Sequence, residues 1–130
     1  MMLAPPFTVA QFFRVFADYN AAIWPLQVVA FGLGIFAVLA LFLALRLKWP
    51  FVNRVVFAVL AILWAVNGIG YHWLFFAEIN PIAKGFAAAF VLQSILFAAC
   101  ALKPNDVRFE IGGNLRSAAG LLAIFYALLI

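Results

Sequence analysis

Four stretches in which nearly every position is apolar run along this chain, separated by short polar breaks. They cover 23–45, 55–76, 85–102 and 113–130. A helix rises 1.5 Å per residue, so about 20 apolar residues match a hydrocarbon core of about 30 Å. The first three runs meet that length. The fourth meets it only if its helix begins near Gly113 with Arg116 reaching back to the interface. None of the runs alternates polar with apolar positions, so strands of a membrane barrel are excluded in favour of helices. Pro25 falls in the first turn of the first run, where a missing N–H costs little.

Ahead of these runs, Thr8 and Gln11 have the spacing of a capping box, with Phe7 and Phe12 placed to staple the turn. The spacing predicts a helix over 9–20. Arg14, Asp18 and Asn20 make it too polar to cross a bilayer, so it is expected to lie in the interface. The first break holds Arg46, Lys48, Trp49, Pro50 and Arg54; the second holds Glu78, Asn80, Pro81 and Lys84, with Asn-Pro as a turn. The third, from Lys103 to Arg116, is the most polar part of the chain. The expected architecture is all-α: one integral membrane helical bundle over 1–130, three to four transmembrane helices preceded by a short interfacial N-terminal helix.

Composition supports this picture. Of 130 residues, 70% are apolar and 9% charged, against about half and a quarter in soluble domains. The net charge of +4 comes from residues at the ends of apolar runs, where they anchor helices, so no nucleic-acid partner is implied. Arg46, Lys48, Arg54, Lys103, Arg108 and Arg116 fall on one side of the expected bundle, and Arg14 and Lys84 on the other. The richer side is expected in the cytoplasm, which puts the N-terminus outside. The lone Cys100 allows no intramolecular disulfide and reads as a small apolar residue. Residues 1–6 lack a basic region and a cleavage site, so the first span is expected to direct insertion itself.

Two stretches carry a family resemblance: Gln11-Phe12 through Phe16, Tyr19-Asn20, Ile23-Trp24-Pro25 and Gln27, and then Tyr71-His72-Trp73-Leu74-Phe75-Phe76 with Ile79-Asn80-Pro81. Over roughly 7–130 the chain resembles an uncharacterised family of bacterial multi-span membrane proteins, a domain of unknown function. The resemblance implies a bacterial inner-membrane location and no particular chemistry. Its members continue for further spans, which implies that the apolar end at Ile130 is a departure from the family or a truncation.

If the first two spans are antiparallel neighbours, Asn20, Trp24, Gln27, Asn67, Tyr71, His72, Glu78 and Asn80 meet at the outer face as a polar cluster. This is the candidate site. Glu78 has Lys84 and Arg14 as prospective ion-pair partners. Ala61, Ala65, Gly68 and His72 follow the spacing of one helix face, and Ala30 and Gly34 mark close packing on the first span. His72 has three readings: a hydrogen bond at the rim of a helix contact, a proton-handling imidazole near Glu78, or an axial ligand to haem or (bacterio)chlorophyll with Gly68 making room. Asn67, Gln93 and Ser94 read as interhelical hydrogen-bonding groups.

Phosphate loops, nucleophile elbows and paired metal ligands are missing from the sequence, and the first three spans carry no charge near their centres. An enzyme is not expected, nor a metal or other cofactor apart from the His72 alternative. The expected function is contact: an accessory or structural subunit of a larger membrane complex, or a homo-oligomer, with the lipid bilayer and other membrane subunits as partners. The alternative is a small permease or channel using the outer cluster.

Overall fold

The computed structural model describes residues 6–47, 50–103 and 109–129, all helix and short connections. Lys48 and Trp49 of the expected first connection, residues 104–108 of the expected polar loop with Arg108, residues 1–5 and Ile130 lie outside the described residues.

Helix α1 (Val9–Ile23) starts at the capping box: Gln11 N–H donates to Thr8 Oγ1 at 3.2 Å, and Thr8 N–H donates to Gln11 Oε1 at 2.7 Å. The Phe7 and Phe12 rings stack 5.9 Å apart, closing the staple. The helix runs beyond the expected end at 20, and the next, α2 (Leu26–Leu47), starts later than the expected 23. Pro25 explains both differences. The residue before a proline is pushed out of the helical region, and Trp24 is extended (φ −61°, ψ 131°). One helix therefore ends before this pair and the next begins after it.

The third helix, α3, is continuous over 50–79 but not uniform. Pro50–Ala65 is α-helical, Val66–Phe76 is π-helical, and Ala77–Ile79 returns to α. It is longer than the expected 55–76 because Pro50 opens the first turn, where its fixed φ suits a helix, and because the chain turns only at Asn80. There Ile82 N–H donates to Asn80 Oδ1 (3.2 Å) and Ala83 N–H to the Asn80 carbonyl (2.9 Å). Helix α4 (Ala83–Leu102) follows. Three helices are long and apolar enough to cross a membrane: Leu26–Leu47, Phe51–Ile79 and Ala83–Leu102. The last, α5 (Leu115–Leu129), is capped by Asn114, whose Oδ1 accepts from Ser117 N–H at 2.9 Å. Its 15 residues rise about 22 Å, short of a crossing; the helix expected over 113–130 begins only after this cap.

Helix α3 is the axis of the assembly. Helix α4 packs along its whole length, α2 leans on its α-helical half, and α1 leans on its π-helical half. Ala40 and Ala44 of α2 close on Val52 and Val56 of α3. Midway along α3 and α4, Ser94 Oγ donates to the Ala61 carbonyl at 2.7 Å, an interhelical bond of the kind worth about 1 kcal/mol in apolar surroundings. At the basic end Arg54 Nε donates to the Ala101 carbonyl at 2.9 Å, satisfying one of the free carbonyls in the last turn of α4.

The small residues do not all serve as contacts. Ala61 and Gly68 are buried against α4, and a Cβ at Gly68 would fall 2.7 Å from Phe90 Cβ. A Cβ at Gly34 would meet nothing within 4 Å. Within the single chain no helix takes up Gly34, since α2 makes its main contact with the α-helical half of α3.

Candidate functional site

The π-helical segment and α1 border an open-sided cavity of about 300 Å³. Phe16, Tyr19 and Asn20 form its α1 wall, Asn67, Tyr71 and His72 its α3 wall, and Phe90 of α4 closes the side. Each wall follows from helix geometry. Phe16, Tyr19 and Asn20 stand at i, i+3 and i+4, one face of an α-helix. Asn67, Tyr71 and His72 stand at i, i+4 and i+5. In an α-helix, residues five apart diverge by roughly 140°. A π-helix bonds i to i+5 and winds more residues into each turn, so these two positions lie closer to one face. The π winding is what sets His72 beside Asn67.

Aromatic stacking holds the walls together. The Phe16 and Tyr71 rings stack at 4.9 Å, the Tyr19 ring meets Tyr71 edge-on at 5.4 Å, and the His72 ring lies 4.7 Å from Phe90. Gly70 lets Tyr19 close in, since a Cβ there would already touch its ring at 3.4 Å. Burial pushes the Tyr19 phenol above its ordinary range, so it keeps its proton. Behind the lining, two polar atoms are buried without a hydrogen-bond partner: Tyr71 OH and His72 Nδ1. A buried polar group left unpaired costs about 1–3 kcal/mol, and native structures pair nearly all of them.

Of the eight residues expected to cluster, Asn20, Asn67, Tyr71 and His72 line this cavity. The other four do not. Trp24 points outward, 66% exposed, because the pre-proline turn carries it off the α1 face. Gln27 belongs to α2, and its Oε1 is buried without a partner outside the cavity. Glu78 is exposed in the last turn of α3, and Asn80 holds the turn before α4. Lys84 does not take up Glu78; its Nζ sits 5.6 Å from the centroid of the Trp73 ring. Phe16, Tyr19 and Phe90 were not among the expected site residues, although the α1 spacing already aligns the first two with Asn20.

The room beside Gly68 that an axial ligand one turn away would require is filled by Phe90 and the backbone of α4. Among the described residues no three His, Cys, Asp or Glu side chains gather where they could hold a metal ion.

A model described as a family of unknown function (DUF6064) matches residues 9–130. The chain belongs to DUF6064. The match begins at Val9, the first residue of α1, so the DUF6064 region takes in both walls of the cavity. No curated protein and no solved structure matches the chain.

Chemically, the cavity offers two amides, two phenols and an imidazole among phenyl rings, with no charged side chain in its lining. It can hydrogen-bond and stack.

Proposed function

We propose that the protein is an integral membrane protein of the bacterial cytoplasmic membrane that acts by contact with other membrane subunits or with a second copy of itself. Helices α2, α3 and α4 are the spans, the end carrying Arg46, Arg54 and Lys103 lies in the cytoplasm, and α1 lies in the outer interface. The asymmetry of basic residues supports this orientation. A reporter fused after Lys103 is expected to read as cytoplasmic; an external reading sinks the topology.

One observation carries the contact reading. The small-residue stripe of α2 is half occupied: Ala37 and Ala44 are buried, while Gly34 on the same stripe faces open space, with Ala30 one turn further on. Lipid tails gain little from a notch in a helix surface. A neighbouring helix gains close van der Waals approach from it. Leu39 and Phe36, well exposed, border the stripe as surfaces for lipid.

The native chain purified in mild detergent is expected to have the mass of more than one chain, or to give protein adducts when a photo-crosslinker at position 34 is activated in native membranes. Gly34→Leu should abolish either result. A monodisperse monomer whose crosslinker captures only lipid counts decisively against the reading.

A further inference from the structure

The cavity between α1 and the π-helical segment has a composition that water alone does not explain. At about 30 Å³ per molecule, its volume of about 300 Å³ would hold about ten waters. Each water needs two to four polar partners, and the phenyl faces of Phe16 and Phe90 supply none. The accessible polar groups beside those faces are the amides of Asn20 and Asn67. The volume is at the lower end of small-molecule sites, which combine mostly apolar walls with a few convergent polar groups.

We infer that this cavity is a binding site for a neutral, planar molecule whose ring edge carries hydrogen-bonding groups. Three features select that chemistry. The rings of Phe16, Tyr71 and Phe90 offer faces and edges on which a flat ring stacks. Asn67 and Asn20 present amides from the two facing helices, so each can donate to and accept from a ligand edge. The lining carries no fixed charge, and a charged ligand would enter without a counter-ion. The π winding joins these features, because it alone brings His72 and Asn67 to one face. The ligand can come from water, as a heteroaromatic ring, or from the bilayer, as a quinone headgroup; the recognition chemistry is shared.

The test is equilibrium dialysis of the full chain in nanodiscs against indole, a short-tailed benzoquinone, and benzoate as a charged planar control, with empty nanodiscs as the blank. Saturable one-to-one binding of indole or the quinone is expected, at least tenfold tighter than benzoate, and which of the two binds identifies the source. Asn20→Leu removes the amide of the α1 wall and should weaken binding about fivefold. Asn67→Leu should weaken it at least tenfold. Arg116→Gln, at the far end of the chain, should leave it unchanged. Circular dichroism and melting temperature establish that each variant is folded. Saturable binding of neither probe, equal binding of benzoate, or affinity unaltered in both cavity variants overturns the proposal.

Discussion

Gly68→Ala should destabilise the fold of the single chain by about 1–3 kcal/mol, whereas Gly34→Ala should leave the fold of the single chain unchanged or more stable. The two substitutions add the same methyl group to an apolar helix, and only the neighbours differ. At Gly68 the added Cβ falls 2.7 Å from Phe90 Cβ, 3.2 Å from the Ala87 carbonyl oxygen and 3.4 Å from the Val91 nitrogen. Two of those atoms are backbone and the third is a Cβ, so no side-chain rotation relieves the overlap; α3 and α4 have to separate. At Gly34 nothing lies within 4 Å, and alanine is favoured over glycine in a helix interior by about 1 kcal/mol. Parallel unfolding curves in detergent, with denaturation midpoints for wild type and both variants, check the pair. Equal midpoints for the two variants would contradict the packing described between α3 and α4.

The second large effect is expected at Phe57. This ring is 5% exposed, lies 6.1 Å from Phe97 of α4, and stacks at 4.7 Å on Phe109, in the segment leading to α5. Phe57→Ala should cost about 3 kcal/mol. In a bilayer the loss is mainly one of dispersion contacts, because lipid tails are as apolar as the ring they replace. The cavity left between α3 and α4 persists in either medium. Phe57 also ties the Phe109 segment to the bundle, so the substitution should raise protease sensitivity between Phe109 and Asn114. Cleavage at the wild-type rate together with an unchanged midpoint would remove Phe57 from this role.

Helix number and class were legible because hydropathy averaged over 20 residues ignores how the backbone is wound. Boundaries were less so. Trp24-Pro25 sits inside an unbroken apolar run, and only the conformational demand of a pre-proline residue separates α1 from α2 there. Among the small residues, composition does not distinguish Gly34 from Gly68; which one is covered depends on where α2 diverges from α3. The polar residues of the α3 wall, Asn67, Tyr71 and His72, stood out within an apolar run. Their gathering with Asn20 followed from the antiparallel topology, but the setting of His72 beside Asn67 did not, since α periodicity places His72 on the stripe with Gly68 and turns it away from Asn67. Phe16 and Tyr19 stood only among the residues of the family resemblance, and nothing in the pattern marked Phe90. Tertiary approach, rather than spacing alone, makes them walls.

The π winding of Val66–Phe76 also fixes rotational phase. Residues 50–65 are aligned so that their small and branched side chains meet α2 and α4, while residues 66–76 are aligned to α1 and α4. If one residue were deleted from this segment and the helix rewound as α, everything after it would turn by about 100° about the axis. Tyr71 would leave Phe16, and the Asn80 turn would aim α4 in a new direction. A length change that a surface loop absorbs without effect would here misalign half the bundle, so the segment behaves as a gear tooth whose count must be kept.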